Sequence, residues 1–376
     1  MIAELPYHSY HFSMNILVIT ETTDQTRGYG RFCQKLVSNL KNRYPRDVNI
    51  RVLVLRGEHI FKDEKAVLVR NRKLGLFINP LIILWYARGY QIIHCLDGYP
   101  YGLYGALVKS MTKKKLFISM MGTYSVEPLY HAEKIRLMKW AYEKADALSA
   151  ISRFTKDEVL KVFPSLHINI IIPGVECEKN TETDGDVRIV PERYILTVGT
   201  LSERKGYHIS LRAFATVRKN FSYLKYVIVG SPQSEEYMAL LDSIIQEENI
   251  SQDVVFLKNL SDTELAAVYR YADVFILTPV NVGHHFEGYG MVYAEAGCFS
   301  VPVIGTKGSG AESAVEDGIT GLLVPQNDPE AAAGALQELL IDDKRRISMG
   351  KHNAAFAKEN HWSSAAEKYF SIYSSI

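Results

Sequence analysis

This 376-residue chain lacks most of the signals that mark common enzyme classes. It has no Gly-x-Ser-x-Gly, so a hydrolase of the nucleophile-elbow type is not indicated. Its four cysteines, Cys33, Cys95, Cys177 and Cys298, are widely scattered, and no pair has metal-ligand spacing. An even count in so long a chain is no argument for disulfides. A reducing, cytoplasmic setting is expected. The first fifteen residues lack a basic region followed by a long apolar run, so no signal peptide is expected. Long apolar stretches are also missing. The most apolar segment, Leu74–Ala87, is interrupted by Asn79-Pro80 and falls short of the ~20 residues that a spanning helix needs. It is expected to be a core helix rather than an interfacial anchor. Net charge is nearly absent: 43 Lys+Arg stand against 42 Asp+Glu. No nucleic-acid partner is expected.

The balance conceals an asymmetry. Residues 1–184 carry 26 basic and 18 acidic side chains, whereas residues 185–376 carry 17 and 24. A basic half joined to an acidic half supports two domains with different partners, the basic one suited to an anionic acceptor or an anionic membrane surface, and Lys113-Lys114-Lys115 lies in it. The length alone exceeds one typical core.

What is present is alternation. Short β-rich runs such as Asn15–Thr20, Lys115–Met120, Tyr194–Gly199 and Val254–Leu257 alternate with helical patterns throughout. That is βαβ order, hence parallel sheets covered on both faces. The polar, aperiodic stretch 178–190 reads as the linker. The expected layout is a Rossmann-like domain over 1–180, a second one over 181–360, and a last helix over 361–376. Ligands in such sheets bind outside the carboxyl ends of the strands.

Three segments could carry chemistry. In HHFEGYGMVYAEAGCFSVPVIG (284–305), Glu287 and Glu295 flank Gly288-Tyr289-Gly290 and an apolar, helix-like run. A helix starting near Gly288 would put the carboxylates ~12 Å apart along its axis. Its mouth would attract phosphate. Two hydroxyl-seeking acids around a phosphate describe a nucleotide-diphosphate sugar. The second segment is Gly199-Thr200-Leu201-Ser202-Glu203-Arg204-Lys205-Gly206, a strand-to-helix turn. Two cations in a first helical turn oppose the helix dipole unless an anion binds there. The third, Gly28-Tyr29-Gly30, reads as a flexible loop after the first strand. It is an incomplete dinucleotide fingerprint, since Cys33 stands where a third small residue belongs. No Asp-x-Asp follows a strand, so no metal is expected.

TVGTLSERKGYHISLRAF, YVIVGSP, ADVFILTP, FEGYGMVYAEAGCFSVPVIGT and ESAVEDGITGLLVPQNDPE, with looser matches at RGYG and IIPGVE, resemble glycosyltransferase family 4. The resemblance covers nearly the whole chain and is strongest over 194–326. It implies two facing Rossmann-like domains of the GT-B type around a deep cleft, and retaining, metal-independent hexosyl transfer to a glycan, lipid-linked or other acceptor. It also implies roles. Glu287 contacts the donor hexose, with the amides of Gly288, Tyr289 and Gly290 near sugar and phosphates. Glu295 holds the ribose, and Arg204 and Lys205 neutralise the leaving diphosphate. The base lies near Lys258 and Leu260, Gly199 belongs to the phosphate-cradling turn, and Gly28 and Gly30 approach from the first domain. Two positions depart from the family: Thr200 stands where an Arg is frequent, and Met121 where a His usually precedes Gly122. They keep a non-catalytic sugar-nucleotide-binding subunit open, and a nucleotide-sugar epimerase of the same fold also remains open.

Overall fold

The computed structural model describes residues 14–25, 27–58, 64–177, 188–190 and 192–376. Most of the expected linker lies outside the described residues. The first sheet contains β1 (Met14–Ile19), β2 (Val48–Leu55), β3 (Glu64–Leu68), β4 (Ile92–Leu96), β5 (Lys115–Met120), β6 (Ala147–Ala150) and β7 (Asn169–Ile170), in the order β3-β2-β1-β4-β5-β6-β7. The second contains β8 (Tyr194–Val198), β9 (Lys225–Val229), β10 (Val254–Leu257), β11 (Val274–Ile276), β12 (Val303–Thr306) and β13 (Gly321–Val324), in the order β10-β9-β8-β11-β12-β13. The registered pairs are parallel, with β1 between β2 and β4 and β8 between β9 and β11. Ile16–Ile19 are fully buried, as strands covered on both faces must be.

By packing, the chain divides into two compact units. One comprises residues 1–119, 132–148 and 366–376, and the other residues 120–131 and 149–365. In the first unit, His94 on β4 is buried and stacked on Phe117. Its ring nitrogens bond Ser119 Oγ and Tyr373 Oη, both at 2.8 Å. Burial pulls its pKa down to about 3, so it is a neutral packing residue that holds the C-terminal helix (Trp362–Ser375). Phe370 of the same helix stacks on Tyr44 at 3.7 Å.

Four expectations are corrected. Strand β3 was not anticipated, because its sequence, EKAVL, is a short half-polar edge without alternation. Gly28-Tyr29-Gly30 is the first turn of the helix Gly28–Arg43 rather than a loop. Cys177 and Cys298, 121 positions apart, form a disulfide. Both are packed beside Val175, Ala294 and Ala357, an adjacency that cysteine spacing cannot reveal. Finally, the apolar helix runs Arg72–Tyr86 and is not a core helix. Gly75, Asn79, Pro80 and Ile83 are buried, but Leu74, Phe77, Leu81 and Trp85 are exposed. Among the described residues no helix is long and apolar enough to cross a membrane.

Candidate functional site

The strand order of the second sheet reverses between β8 and β11, and the segments that leave those two strands meet within the second unit. After β8, the Gly199 carbonyl accepts from Tyr207 Oη at 2.7 Å. Glu203–Lys205 then forms a single 3₁₀ turn that ends on Gly206. Gly206 has φ +70°, and a Cβ there would stand 1.7 Å from the Thr278 carbonyl oxygen. No other residue type fits. Thr278 Oγ1 donates to the Gly206 carbonyl at 2.8 Å, and the Val280 N–H donates to the Arg204 carbonyl at 2.9 Å. The basic turn is therefore clamped onto the chain that follows β11.

That chain leads to Glu287, whose side chain is buried. One of its oxygens, Oε2, accepts from Arg204 Nη1 at 3.0 Å and from Lys205 Nζ at 2.5 Å. Arg204 Nη1 also donates to the Phe286 carbonyl at 3.2 Å. Burial would raise the Glu287 pKa, but the Lys205 ammonium and the Arg204 guanidinium outweigh it and hold the carboxyl at about 2. For Lys205, burial dominates and lowers the pKa, with Glu287 opposing and Arg204 adding to the fall. Two cations meet one carboxylate, so the cluster keeps an excess positive charge. Lys205 spends one of its three donors on Glu287, and a guanidinium has five. Both cations keep donors for a further anion.

The backbone beyond Glu287 is equally constrained. The Gly310 N–H donates to the Glu287 carbonyl at 2.8 Å. A Cβ on Gly310 would fall 2.1 Å from the Gly288 carbonyl oxygen. A Cβ on Gly288 would fall 2.8 Å from the Met121 carbonyl oxygen. Thr123 Oγ1 accepts from the Phe286 N–H at 3.3 Å. The helix begins at Met291, three residues later than expected, and runs to Cys298. The delay follows from Gly290, whose φ of +84° is outside the helical region. Gly290 has no side chain to cap the first helical turn, and its carbonyl accepts from the Tyr293 N–H at 3.0 Å. Replacing Gly290 with alanine puts a Cβ 2.6 Å from the Tyr293 ring and forces a left-handed conformation costing ~1–2 kcal/mol. Gly290→Ala should therefore lower the urea midpoint with little change in m. An unchanged midpoint would contradict this account of the turn.

Glu295 is half-buried on that helix and accepts from Tyr269 Oη at 3.1 Å. Its charge reaches Lys205, which it helps keep protonated. Glu287, Arg204 and Lys205 are thus in direct contact inside one unit. Gly199 lies at the base of the turn. Gly288, Tyr289 and Gly290 form the link to the helix. Lys258 and Leu260 follow the edge strand β10, with Lys258 exposed. Gly28 and Gly30 belong to the first unit, where Gly30 is packed against Asp24 backbone. His284 is exposed, and its ring is stacked on Tyr130 at 3.7 Å. Sequence patterns did not single out Thr123, Tyr269 or the packing of Gly310. The first two lie far from Glu287 and Glu295 in the chain and carry no local motif. Gly310 was visible only as part of a glycine-rich loop.

Residues 180–356 match the family described as Glycosyl transferases group 1. D-inositol 3-phosphate glycosyltransferase of Corynebacterium urealyticum is 33% identical over 227 residues, 59% of this chain and 52% of that protein. GDP-mannose-dependent alpha-(1-6)-phosphatidylinositol monomannoside mannosyltransferase of Mycolicibacterium smegmatis is 30% identical over 227 residues, 57% of this chain and 58% of that protein. The matches span about half the length of these curated relatives. The crystal structure of HepE from Anabaena in complex with UDP-glucose has a TM-score of 0.80 at 16% identity, covering 96% of this chain and all of that one. The two-sheet α/β architecture is therefore of the GT-B type, and residues 180–356 are similar to the glycosyl transferases group 1.

Proposed function

We propose that the protein transfers a hexose from a nucleotide-diphosphate sugar, of the GDP-mannose or UDP-glucose type, to a glycan, lipid-linked or other acceptor, with retention and without a metal ion. The observation that carries this is the convergence of Arg204 and Lys205 on buried Glu287, with net positive charge, beside a helix that starts on an uncapped glycine. Diphosphate leaving from a sugar needs such fixed positive charge, and these groups supply it without a cation. Glu287 is anionic at neutral pH and suits sugar hydroxyls, and Glu295 suits the ribose. The acceptor hydroxyl oxygen bonds the anomeric carbon from the face that the diphosphate leaves. The sugar–phosphate C–O bond breaks, and the departing phosphate oxygen takes the acceptor proton. The names of the relatives, GDP-mannose-dependent in one case, and the UDP-glucose complex of HepE support this donor class.

A donor at about one hundred times its Kd stabilises the folded state by ~2.7 kcal/mol, or ~5–10 °C in a domain of this size. Screening UDP-, GDP- and ADP-sugars by thermal shift should give one base a rise of that order. If no nucleotide sugar moves the melting temperature, the proposal fails. Met121 supports a second reading, since a thioether cannot offer the hydrogen bond of an imidazole. A protein that binds donor yet neither transfers nor hydrolyses it is a binding subunit, and a new sugar isomer from donor alone marks an epimerase.

A further inference from the structure

The helix Arg72–Tyr86 is built inside out. Its packed face carries only one large apolar side chain, Ile83: Gly75, Asn79, Ile83 and then Ala87 recur every four residues and are buried. Asn79 exchanges two hydrogen bonds with the Val69 backbone, at 2.7 and 3.1 Å. Gly75 lets Tyr104 close in, since a Cβ there would stand 2.9 Å from the Tyr104 hydroxyl. The large apolar side chains point the other way. Leu74 is 51% exposed, Phe77 76%, Leu81 61% and Trp85 58%. Their steps of three, four and four residues make one continuous stripe along the helix. Helices of soluble proteins place such a stripe against the core. Large contiguous exposed apolar patches mark interaction sites.

The charges around the stripe say what covers it. Between Asn71 and Gln91, the helix and its flanks hold three basic residues, Arg72, Lys73 and Arg88, and no acid. Arg72 and Lys73 are exposed at the head of the helix and Arg88 just past its foot. Trp85 and Tyr86 at the last turn are the aromatic types that settle at the level of lipid headgroups. We propose that this face docks on an anionic lipid bilayer, with the helix lying in the plane of the interface, its apolar stripe among the acyl chains and its basic ends on the headgroups. A helix of 15 residues is too short to cross. A second copy of the chain is a poorer occupant, because self-association would bring one basic rim onto another. The run Lys113-Lys114-Lys115 is also a poorer anchor. Lys114 donates to the Tyr90 carbonyl at 2.7 Å and Lys115 is 3.5 Å from Asp146, so both are engaged within the protein. This surface does not depend on the nucleotide-sugar site.

Flotation of the full-length protein with vesicles tests the proposal. Vesicles of equal parts phosphatidylcholine and phosphatidylglycerol should carry at least ~10-fold more protein than pure phosphatidylcholine, and added salt should reduce binding. The variant Leu74→Ser/Phe77→Ser/Leu81→Ser/Trp85→Ser should lose binding by a similar factor while its melting temperature stays or rises, since these side chains are exposed. Arg72→Glu/Lys73→Glu should lose the salt-sensitive part. On binding, Trp85 emission should shift to the blue, and Trp85→Phe should float normally without the shift. Equal flotation of the wild type and the fourfold variant overturns the proposal. So does a dimer by analytical ultracentrifugation that dissociates with Phe77→Ser, which would assign the face to a second copy.

Discussion

Lys205→Ala should reduce transfer by ~10²–10³-fold, the loss typical when one preorganised charge stabiliser is removed from a transition state. The reason lies in what Lys205 touches. It is buried, bonds Glu287 and keeps two further ammonium donors. In the substrate complex the diphosphate already carries charge, but more develops on the bridging oxygen as the sugar departs. A fixed ammonium therefore helps the transition state more than the ground state, so kcat should fall more than donor affinity. The fold should tolerate the change. Arg204 stays 3.0 Å from the carboxylate, and the cost of burying the lysine disappears with it. Lys205→Arg should not restore full activity, because a planar fork cannot replace a compact ammonium in a clamped turn. Transfer rates and the urea midpoint, measured on the same preparation, separate the two effects. Near-normal turnover in Lys205→Ala would remove this lysine from the chemistry and leave the ion cluster as a structural feature.

Much of the architecture was legible because βαβ sequences announce themselves. The strands Lys115–Met120, Val254–Leu257 and Gly321–Val324 and the helices Ala132–Lys144 and 343–359 start and stop where their patterns do. Buried parallel strands are nearly pure apolar runs, and their helices carry a 3.6-residue period. Edge strand β3 escaped because an edge need not be apolar. The helix expected at Gly288 starts at Met291 because Gly290 turns left-handed, a conformation that glycine permits and sequence does not reveal.

The site was legible as two motifs and not as one cluster. Arg204 and Lys205 lie more than eighty positions from Glu287, and nothing local says that their charges meet. Strand order brings them together, because β8 and β11 are neighbours on either side of the switch. The exposed helix failed for a different reason. Total apolarity pointed to a core, but the direction of each side chain decides burial. The fourfold repeat of Gly75, Asn79, Ile83 and Ala87 was the readable sign of the packed face. Gly75 and Ala87 let the helix pack closely, and Asn79 bonds the Val69 backbone, while Leu74, Phe77, Leu81 and Trp85 stay outside. The Cys177–Cys298 pair had no comparable sign, since it depends on where Cys177 lies beside the end of the Met291–Cys298 helix.

Glu287→Gln should be costly to the second unit near neutral pH. The carboxyl is buried, and its pKa falls from 4.5 to about 2 on folding. A depressed acid contributes stability above its unfolded pKa and loses it as pH falls through the folded one. At ~1.36 kcal/mol per pKa unit the contribution is about 3 kcal/mol at pH 7, and it drains away between about pH 4.5 and 2. Breaking a buried pair by removing one partner costs a similar ~3–5 kcal/mol, here because Arg204 and Lys205 are left facing each other. Lys205 works in the opposite sense. Burial lowers its pKa, so holding it protonated costs some stability below its unfolded value and offsets part of the gain. The difference in unfolding free energy between wild type and Glu287→Gln should therefore be large at pH 7 and shrink as the pH is taken toward 3. A difference independent of pH, or an unchanged midpoint at pH 7, would refute the ion cluster as drawn. The same variant separates two roles at the site. With the carboxylate gone, two cations remain for a diphosphate, so UDP or GDP alone should bind as well as before or more tightly. Transfer should fall nonetheless, because the group assigned to the hexose is lost.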